Sequence, residues 1–188
     1  MTHLLKRAAA AFGILAIVCL TLFGFAATAM ADNASGTPHL ILTLKDGDVD
    51  IQLMPDIAPK HVERIVTLTN QGFYNGLTFH RVIDGFMAQT GDPTGTGMGG
   101  SNEPDLPAEF SNAHFDRGTL GMARSSSPDS ANSQFFIMFA DGGFLDGQYT
   151  VFGGVASGME CVDKIAKGEP PPAPDVMQKV YLLADAKK

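Results

Sequence analysis

Two segments of the chain carry side chains that could line one half-apolar groove. The first is residues 79–92, FHRVIDGFMAQTGD, and the second is residues 133–137, SQFFI. Together they supply a guanidinium, a carboxamide, two phenyl rings and a thioether, from Arg81, Gln89, Phe86, Phe136 and Met87. Neither segment offers an obvious nucleophile or a pair of carboxylates, which bond-breaking catalysis commonly uses. The set therefore favours a reaction in which no covalent bond is broken.

Short apolar runs separated by turns predict a mainly β domain around these segments. Residues 39–44 and 49–53 alternate around Asp46-Gly47, which indicates a hairpin. Further strands are predicted at 78–83, 86–90, 119–123, 134–139, 150–155 and 178–183. Helices are predicted from Pro59 to Gly72 and from Met159 to Lys167, where apolar residues follow the helical period. This content predicts a closed eight-stranded antiparallel barrel capped by two α-helices, although periodicity alone does not separate a barrel from a sandwich.

The order and separation of the two segments resemble the signature of cyclophilins, the peptidyl-prolyl cis-trans isomerases. The resemblance extends from about His39 to Ala184. It implies the family's eight-stranded barrel, with a packed interior and a substrate groove on the outer surface. It also implies an isomerase that acts on X-Pro bonds of proline-containing unfolded or extended polypeptides. No metal-ligand spacing or nucleotide loop is visible, so we expect no cofactor and no metal. We also expect a monomer.

Rotation about an X-Pro bond is slow because amide resonance must be broken, at a barrier of about 18–20 kcal/mol. In the twisted transition state the prolyl nitrogen regains a localised lone pair. A hydrogen-bond donor near it therefore stabilises that state over both planar ones. The resemblance assigns this catalytic role to Arg81, which would donate to the prolyl nitrogen or to an adjacent carbonyl. Outside such a motif, Arg81 would be interpreted as a solvated or ion-paired strand arginine.

The resemblance also implies a substrate-binding set around Arg81. The family's proline pocket corresponds to Phe86, Met87, Phe136 and Leu145, which periodicity alone would assign to a barrel core. Gln89 is expected to bind the substrate backbone, and Gln134 to orient Arg81 or the substrate. The other implied contacts are Ala123, Arg124, Phe144 and Tyr149, of which the first two would act largely through main-chain groups.

Three features depart from the familiar family pattern. Phe144 replaces the tryptophan of many eukaryotic members, and Tyr149 stands where many members have histidine. The loop from Ser125 to Ser130 differs in length and composition from the familiar asparagine-rich one. Bacterial exported cyclophilins commonly show such changes. We therefore expect isomerase activity to be retained and cyclosporin, the family's cyclic peptide inhibitor, to bind weakly.

Residues 1–31 are predicted to be a Sec-type signal peptide. Lys6 and Arg7 precede an apolar run over residues 8–29, and Ala29-Met30-Ala31 matches a cleavage site. An uncleaved membrane anchor is the alternative, because the run is nearly long enough to span a bilayer. Cleavage would leave a short tail, 32–38, and an isomerase domain, 39–188. That product would be free of the membrane, in the periplasm of a Gram-negative host or secreted from another host.

Bulk composition supports one globular domain and limits its partners. The 188 residues are 45% hydrophobic and 18% charged, which suits a single packed core. The formal charge is −7 and no Lys/Arg cluster interrupts the acidic balance, so no nucleic-acid partner is expected. Signal cleavage would leave Cys161 as the one cysteine, which predicts a small core residue and no internal disulfide.

Other functions fit the residues less well. The G-x-G-x-x-G pattern at residues 95–100 lacks the flanking strand and helix of a dinucleotide loop. The serines at 125–127 lack a nucleophile elbow, which argues against a hydrolase. The remaining alternative is a cyclophilin-fold binding module or chaperone that holds proline-containing segments without fast turnover. Such binding would not require Arg81, so its presence favours the enzyme.

Overall fold

The computed structural model describes residues 37–183, which form eight β-strands, two α-helices and one 3₁₀ helix. The strands are β1 (His39–Leu44), β2 (Gly47–Leu53), β3 (Arg81–Ile83), β4 (Met87–Thr90), β5 (Thr119–Met122), β6 (Phe135–Met138), β7 (Val151–Ser157) and β8 (Lys179–Leu183). The helices are α1 (Pro59–Asn70), α2 (Met159–Val162) and the 3₁₀ helix Gly143–Leu145. None of these helices has the length and apolar character needed to cross a membrane. The predicted signal peptide, 1–31, lies outside the described residues.

All eight strands belong to one antiparallel sheet in the order β3-β4-β6-β5-β7-β2-β1-β8. Within residues 37–183 no ladder pairs the edge strands β3 and β8. Isolated bridges instead join Thr78 to Val176 and Val82 to Gly168. The predicted strand number and antiparallel pairing are confirmed. The sheet is therefore a curled half-barrel and not the closed barrel that was predicted, because no ladder in the described residues joins its two edges.

The β1–β2 hairpin turns one residue earlier than the sequence suggests. Leu44 pairs with Gly47, so Lys45 and Asp46 form the two-residue turn. Gly47 has φ +134°, and a Cβ there would lie 3.0 Å from the Cys161 sulfur. Glycine is therefore required by both the backbone and the packing. Cys161 is a free, buried thiol in the main core, as predicted.

Helix α1 begins at Pro59. Proline has no N–H, but the N–H at the first helical position has no partner within the helix, so no helical hydrogen bond is lost. Ala58 at the N-cap has no side-chain oxygen to satisfy the first N–H groups. The Glu109 carboxylate, from a distant loop, accepts the N–H groups of Lys60 and His61 at 3.2 and 3.1 Å. It thereby supplies the stabilisation that an N-cap side chain gives, about 1 kcal/mol.

Helix α2 ends at Val162, before the predicted end at Lys167. The Ile165 N–H bonds the Val162 carbonyl at 3.1 Å, in a tighter turn than an α-helix allows. The Ala166 N–H then donates to the Asp175 carboxylate at 2.8 Å. This bond to the segment before β8 turns the chain away from the helix axis, so the predicted helix was wrong over residues 163–167.

Strands β4 and β6 bury both of their faces, in two separate apolar clusters. Ala88, Phe135 and Ile137 belong to the main core, whereas Met87 and Phe136 belong to a second cluster. Successive residues of a strand point to opposite faces, which explains the division. Met87 and Phe136 are thus buried outside the main core.

Candidate active site

A single row of side chains crosses the sheet from its β3 edge. Arg81 lies opposite Gln89 in the β3–β4 ladder. Gln89 lies opposite Phe136 in the β4–β6 ladder, and Phe136 opposite Gly121 in the β5–β6 ladder. Directly opposed residues project from the same face with Cβ atoms about 4.5–5.5 Å apart. The register therefore gathers the predicted cation, amide and ring on one face.

This row borders a cavity of ≈ 440 Å³. The cavity is lined by Arg81, Phe86, Met87, Gln89, Ala123, Arg124, Phe136, Phe144, Leu145, Gln148 and Tyr149. Ten of the eleven residues that the sequence assigned to the site are in this set. Gln134 is outside it, and Gln148 is a lining residue that the sequence analysis missed. The two distant segments therefore form one site, together with the 144–149 region.

The aromatic floor of the cavity requires Gly121. A Cβ at this position would lie 2.4 Å from Cζ of Phe136 and 2.6 Å from Cε1 of Phe115. The two rings stack with centroids 5.8 Å apart, and Tyr149 meets Phe136 edge-on at 5.9 Å. The sequence analysis did not assign Gly121 to the site. The sequence feature that could have revealed Gly121 is a glycine inside an apolar strand, which often marks a place where another group approaches the backbone closely.

Arg81 is both ion-paired and part of the cavity wall. Its Nε donates to Oε2 of Glu169 at 2.8 Å, and its side chain is 42% exposed. Arg81 is therefore an ion-paired strand arginine and a residue of the cavity wall at the same time, so the two interpretations do not exclude each other. Glu169 was missed because it follows Arg81 by many residues and belongs to neither segment of the motif.

Gln134 connects the Arg81 row to the glycine-rich loop. The Gln89 Nε2 donates to the Gln134 Oε1 at 2.8 Å. The Gln134 Nε2 donates to the carbonyls of Gly97 and Gly99 at 3.1 and 2.7 Å. These contacts orient the Gln89 amide. Any effect of Gln134 on the Arg81 guanidinium is therefore indirect, through its strand neighbour.

Asp92 stabilises the glycine-rich loop that contains Gly97 and Gly99. Its carboxylate accepts the N–H groups of Thr94, Gly97 and Gly99 at 2.7, 2.6 and 3.2 Å. Burial would raise the pKa of Asp92, but hydrogen bonds from Thr94 and the two glycines outweigh it and lower the pKa to about 2. Residues 91–118 contain no helix, as expected for a surface loop rather than a dinucleotide site.

A second cavity, of ≈ 550 Å³, adjoins the first. Gln89, Ala123 and Arg124 line both cavities. The second is otherwise lined mainly by residues 97–101 and by the polar side chains of Asp105, Ser125, Ser130, Asn132 and Gln134. Every residue that the sequence assigned to the site therefore lines at least one of the two cavities.

Arg124 separates the cavities through its side chain, although the sequence suggested main-chain contacts. Its guanidinium carbon lies 4.4 Å from the Tyr149 ring centroid. Nε and Nη2 donate to the Gln148 carbonyl at 3.2 and 3.0 Å, and Nη1 donates to the Ser125 carbonyl at 2.9 Å. The Gln148 amide in turn donates to the Phe144 carbonyl at 2.8 Å. These bonds tie the 144–149 wall to the end of β5.

The 3₁₀ helix presents Phe144 at the cavity rim. The ring is exposed and lies 5.5 Å from the Phe86 ring at a tilt of 37°. Asp146 accepts the Phe115 N–H at 3.0 Å and also bonds His114 Nδ1. Hydrogen bonds to Asp146 and Asp141 raise the pKa of His114. His114 therefore helps to hold the rim.

His114, Asp116 and Asp141 also form an exposed group in which possible metal-ligating atoms lie within 4.8 Å of one another. The spacing of histidines along the sequence did not reveal this group, because Asp141 comes from a separate segment. The expectation that no metal is required stays a prediction.

Comparison with known proteins identifies the family of the chain. The family model described as cyclophilin type peptidyl-prolyl cis-trans isomerase/CLD matches residues 39–183. A probable peptidyl-prolyl cis-trans isomerase of Brucella suis biovar 1 is 54% identical over 196 aligned residues, covering 96% of each chain. Peptidyl-prolyl cis-trans isomerase A of Dickeya dadantii is 43% identical over 160 residues, covering 82% of this chain and 84% of its own.

Solved structures share the fold. A Cryptosporidium parvum cyclophilin-type isomerase, crystallised in the presence of the dipeptide Ala-Pro, superposes with a TM-score of 0.73 at 29% identity, covering 78% of this chain and 99% of its own. Cyclophilin AquaCyp293 from Hirschia baltica gives a TM-score of 0.73 at 27% identity, covering 79% and 75%. The chain belongs to the cyclophilin-type peptidyl-prolyl cis-trans isomerase family. It is an enzyme of that class.

Proposed function

We propose that the 440 Å³ cavity binds the proline of an extended polypeptide and that Arg81 accelerates rotation about the preceding peptide bond. The observation that supports this most directly is the row from Arg81 through Gln89 to Phe136. It sets a permanent cation and an amide beside an apolar floor, on a rigid sheet. A proline ring over the floor would bring its nitrogen close to the guanidinium.

The guanidinium of Arg81 can act without losing its own partner. Arginine has five N–H donors in a planar fork, and the Glu169 contact uses only the Nε donor. The Nη groups can therefore donate to the prolyl nitrogen as its lone pair localises, or to an adjacent carbonyl. Because the planar amide offers a weaker acceptor nitrogen, this bond strengthens in the twisted state and lowers the barrier.

The apolar floor holds the ring without competing for hydrogen bonds. Met87, Phe136 and Leu145 are buried, at 2%, 5% and 7% exposure. Such a surface can accept a pyrrolidine ring and exclude water from the reacting amide, which strengthens the arginine contact. Gln89 would bind the neighbouring peptide group and fix the substrate's orientation.

No single contact is sufficient for fast isomerisation. A 10⁵-fold acceleration requires about 7 kcal/mol of differential stabilisation. Loss of one well-placed donor costs about 3–4 kcal/mol in related electrostatic sites. The remaining stabilisation must come from desolvation in the cavity and from anchoring of residues beside the proline.

Substitution of Arg81 tests the proposal. Arg81→Ala should lower kcat/KM roughly 10²–10³-fold in a protease-coupled assay on an X-Pro peptide, with the fold intact. The matched control is Arg117→Ala, which removes an arginine paired with Asp163 outside the two cavities. Near wild-type rates in the Arg81 variant would refute the catalytic assignment. Slow turnover in the wild type as well as in the Arg81 variant, with peptide binding preserved, would favour the binding-module alternative.

We propose further that the substrates are exported proteins folding outside the cytoplasm. The support is the predicted signal peptide at residues 1–31, with its Ala29-Met30-Ala31 cleavage site. Intact-mass measurement of protein from the native host should give a chain beginning at Asp32. A chain beginning at Met1 would instead support a retained anchor.

A further inference from the structure

We infer that Glu169 is a positioning residue for Arg81: it holds the Nε side of the guanidinium so that the Nη groups face the cavity. The inference rests on the proposed catalytic role of Arg81. The contact that carries it is the 2.8 Å bond from Arg81 Nε to Glu169 Oε2.

Main-chain pairing places the two side chains together. Val82 and Gly168 exchange two backbone hydrogen bonds, each of 2.8 Å, in an antiparallel bridge. Arg81 and Glu169 are therefore the next pair along the bridge and lie opposite each other. Since β3 is an edge strand, Gly168 supplies the neighbour that β3 lacks on that side. The carboxylate thus approaches Arg81 from the side opposite Gln89.

The segment that carries Glu169 is held by close packing. Gly168 has φ +147°, and a Cβ there would lie 2.6 Å from the Pro171 Cα and 2.9 Å from the Pro170 carbonyl oxygen. No other residue fits this position without backbone movement. Two residues earlier, the Ala166 N–H is bonded to Asp175 at 2.8 Å. The backbone that carries the Glu169 side chain is therefore fixed next to β3.

The energetic role of the pair is orientation rather than stability. Both side chains are about half exposed, at 42% and 52%. Exposed ion pairs contribute little to folding because water and salt screen them. A long, exposed arginine nevertheless has many rotamers, and fixing one of them reduces the entropy lost in reaching the transition state. Gln89 is the ladder partner of Arg81 on the other side of β3, so Arg81 lies between two polar residues.

A double-mutant cycle in the full mature chain tests the inference. Glu169→Ala should lower kcat/KM roughly fivefold to twentyfold, mainly through kcat, because the guanidinium is misplaced and not removed. Glu169→Gln keeps an acceptor oxygen and should stay within about twofold of wild type. In an Arg81→Ala background, Glu169→Ala should have no further effect. Asp163→Asn, which removes a matched charge from the remote Arg117 pair, should leave kcat/KM unchanged.

The outcomes separate this inference from the proposed function. If Arg81→Ala is slow but Glu169→Ala is as fast as wild type or faster, Glu169 does not position the arginine. An equal loss from Glu169→Ala with and without Arg81 would indicate a structural role and would also overturn the inference. If Arg81→Ala is as active as wild type, the proposed catalytic role of Arg81 is refuted, and the inference about Glu169 is refuted with it.

Discussion

Replacement of Gly121 by alanine should displace the aromatic floor of the cavity. The added Cβ would lie 2.4 Å from Phe136 and 2.6 Å from Phe115, whereas carbon atoms in favourable contact lie about 3.5–4.0 Å apart. Both rings, or the backbone at residue 121, must therefore move by roughly 1 Å. Phe136 is buried between Phe115 and Tyr149, so its free direction is toward the cavity.

The displacement should affect both stability and turnover. Overpacking of a buried site typically costs about 1–3 kcal/mol of unfolding free energy. A ring pushed into the cavity would also shift the proline away from Arg81, and a misplacement of about 1 Å can cost up to 10²-fold in rate. We expect Gly121→Ala to lose roughly tenfold to 100-fold in kcat/KM while remaining folded.

Chemical denaturation and the protease-coupled isomerisation assay measure the two effects. Gly154→Ala is the matched control, because it also adds a methyl to a strand of this sheet. There the new Cβ would meet only Met54, at an ordinary 3.4 Å. Wild-type stability and turnover in Gly121→Ala would show that the rings move aside without cost, and the argument from Gly121 would be refuted.

Three further predictions follow from the rim and from the expected lack of cofactor. Phe144 offers no N–H donor to cyclosporin, and an unmet buried carbonyl costs about 1–3 kcal/mol, so affinity should be at least ~10-fold below that of tryptophan-bearing relatives. Phe144→Trp should recover much of this affinity at similar turnover. If wild type and this variant bind cyclosporin with equal affinity in a titration, Tyr149 or the 125–130 loop determines inhibitor binding instead. Because the pKa of His114 is raised by Asp146 and Asp141, its contribution to stability is present below its unfolded pKa of 6.5 and is lost as pH rises through the raised value. The melting temperature of wild type should therefore fall relative to His114→Gln as the pH rises above about 6.5, and parallel curves would contradict this. Activity should be undiminished in excess chelator; a loss that added metal restores would contradict cofactor-free isomerisation.

The sequence predicted those parts of the structure that depend on local pattern. Short apolar runs separated by turns predicted β4 and β6, and the resemblance of two segments to the family signature predicted that Arg81 and Phe136 share one site. Glu169, Gly121 and Gln148 were not predicted as site residues, because their roles arise from neighbours far away in the chain. The end of α2 was predicted wrongly for the same physical reason, since a tertiary bond from Asp175 outweighs a helical period. Closure of the barrel depends on the two sheet edges, which periodicity does not describe.

The alternation of β4 and β6 between two apolar clusters also has a consequence for engineering. Residues such as Met87 and Phe136 face the cavity, while their immediate neighbours Ala88 and Ile137 face the main core. A library that varies only every second residue of these strands therefore samples the cavity that we propose to bind proline. The intervening positions can be kept constant to preserve the core. Such variants leave the main core unchanged, and their cost in stability is confined to the packing of the second cluster.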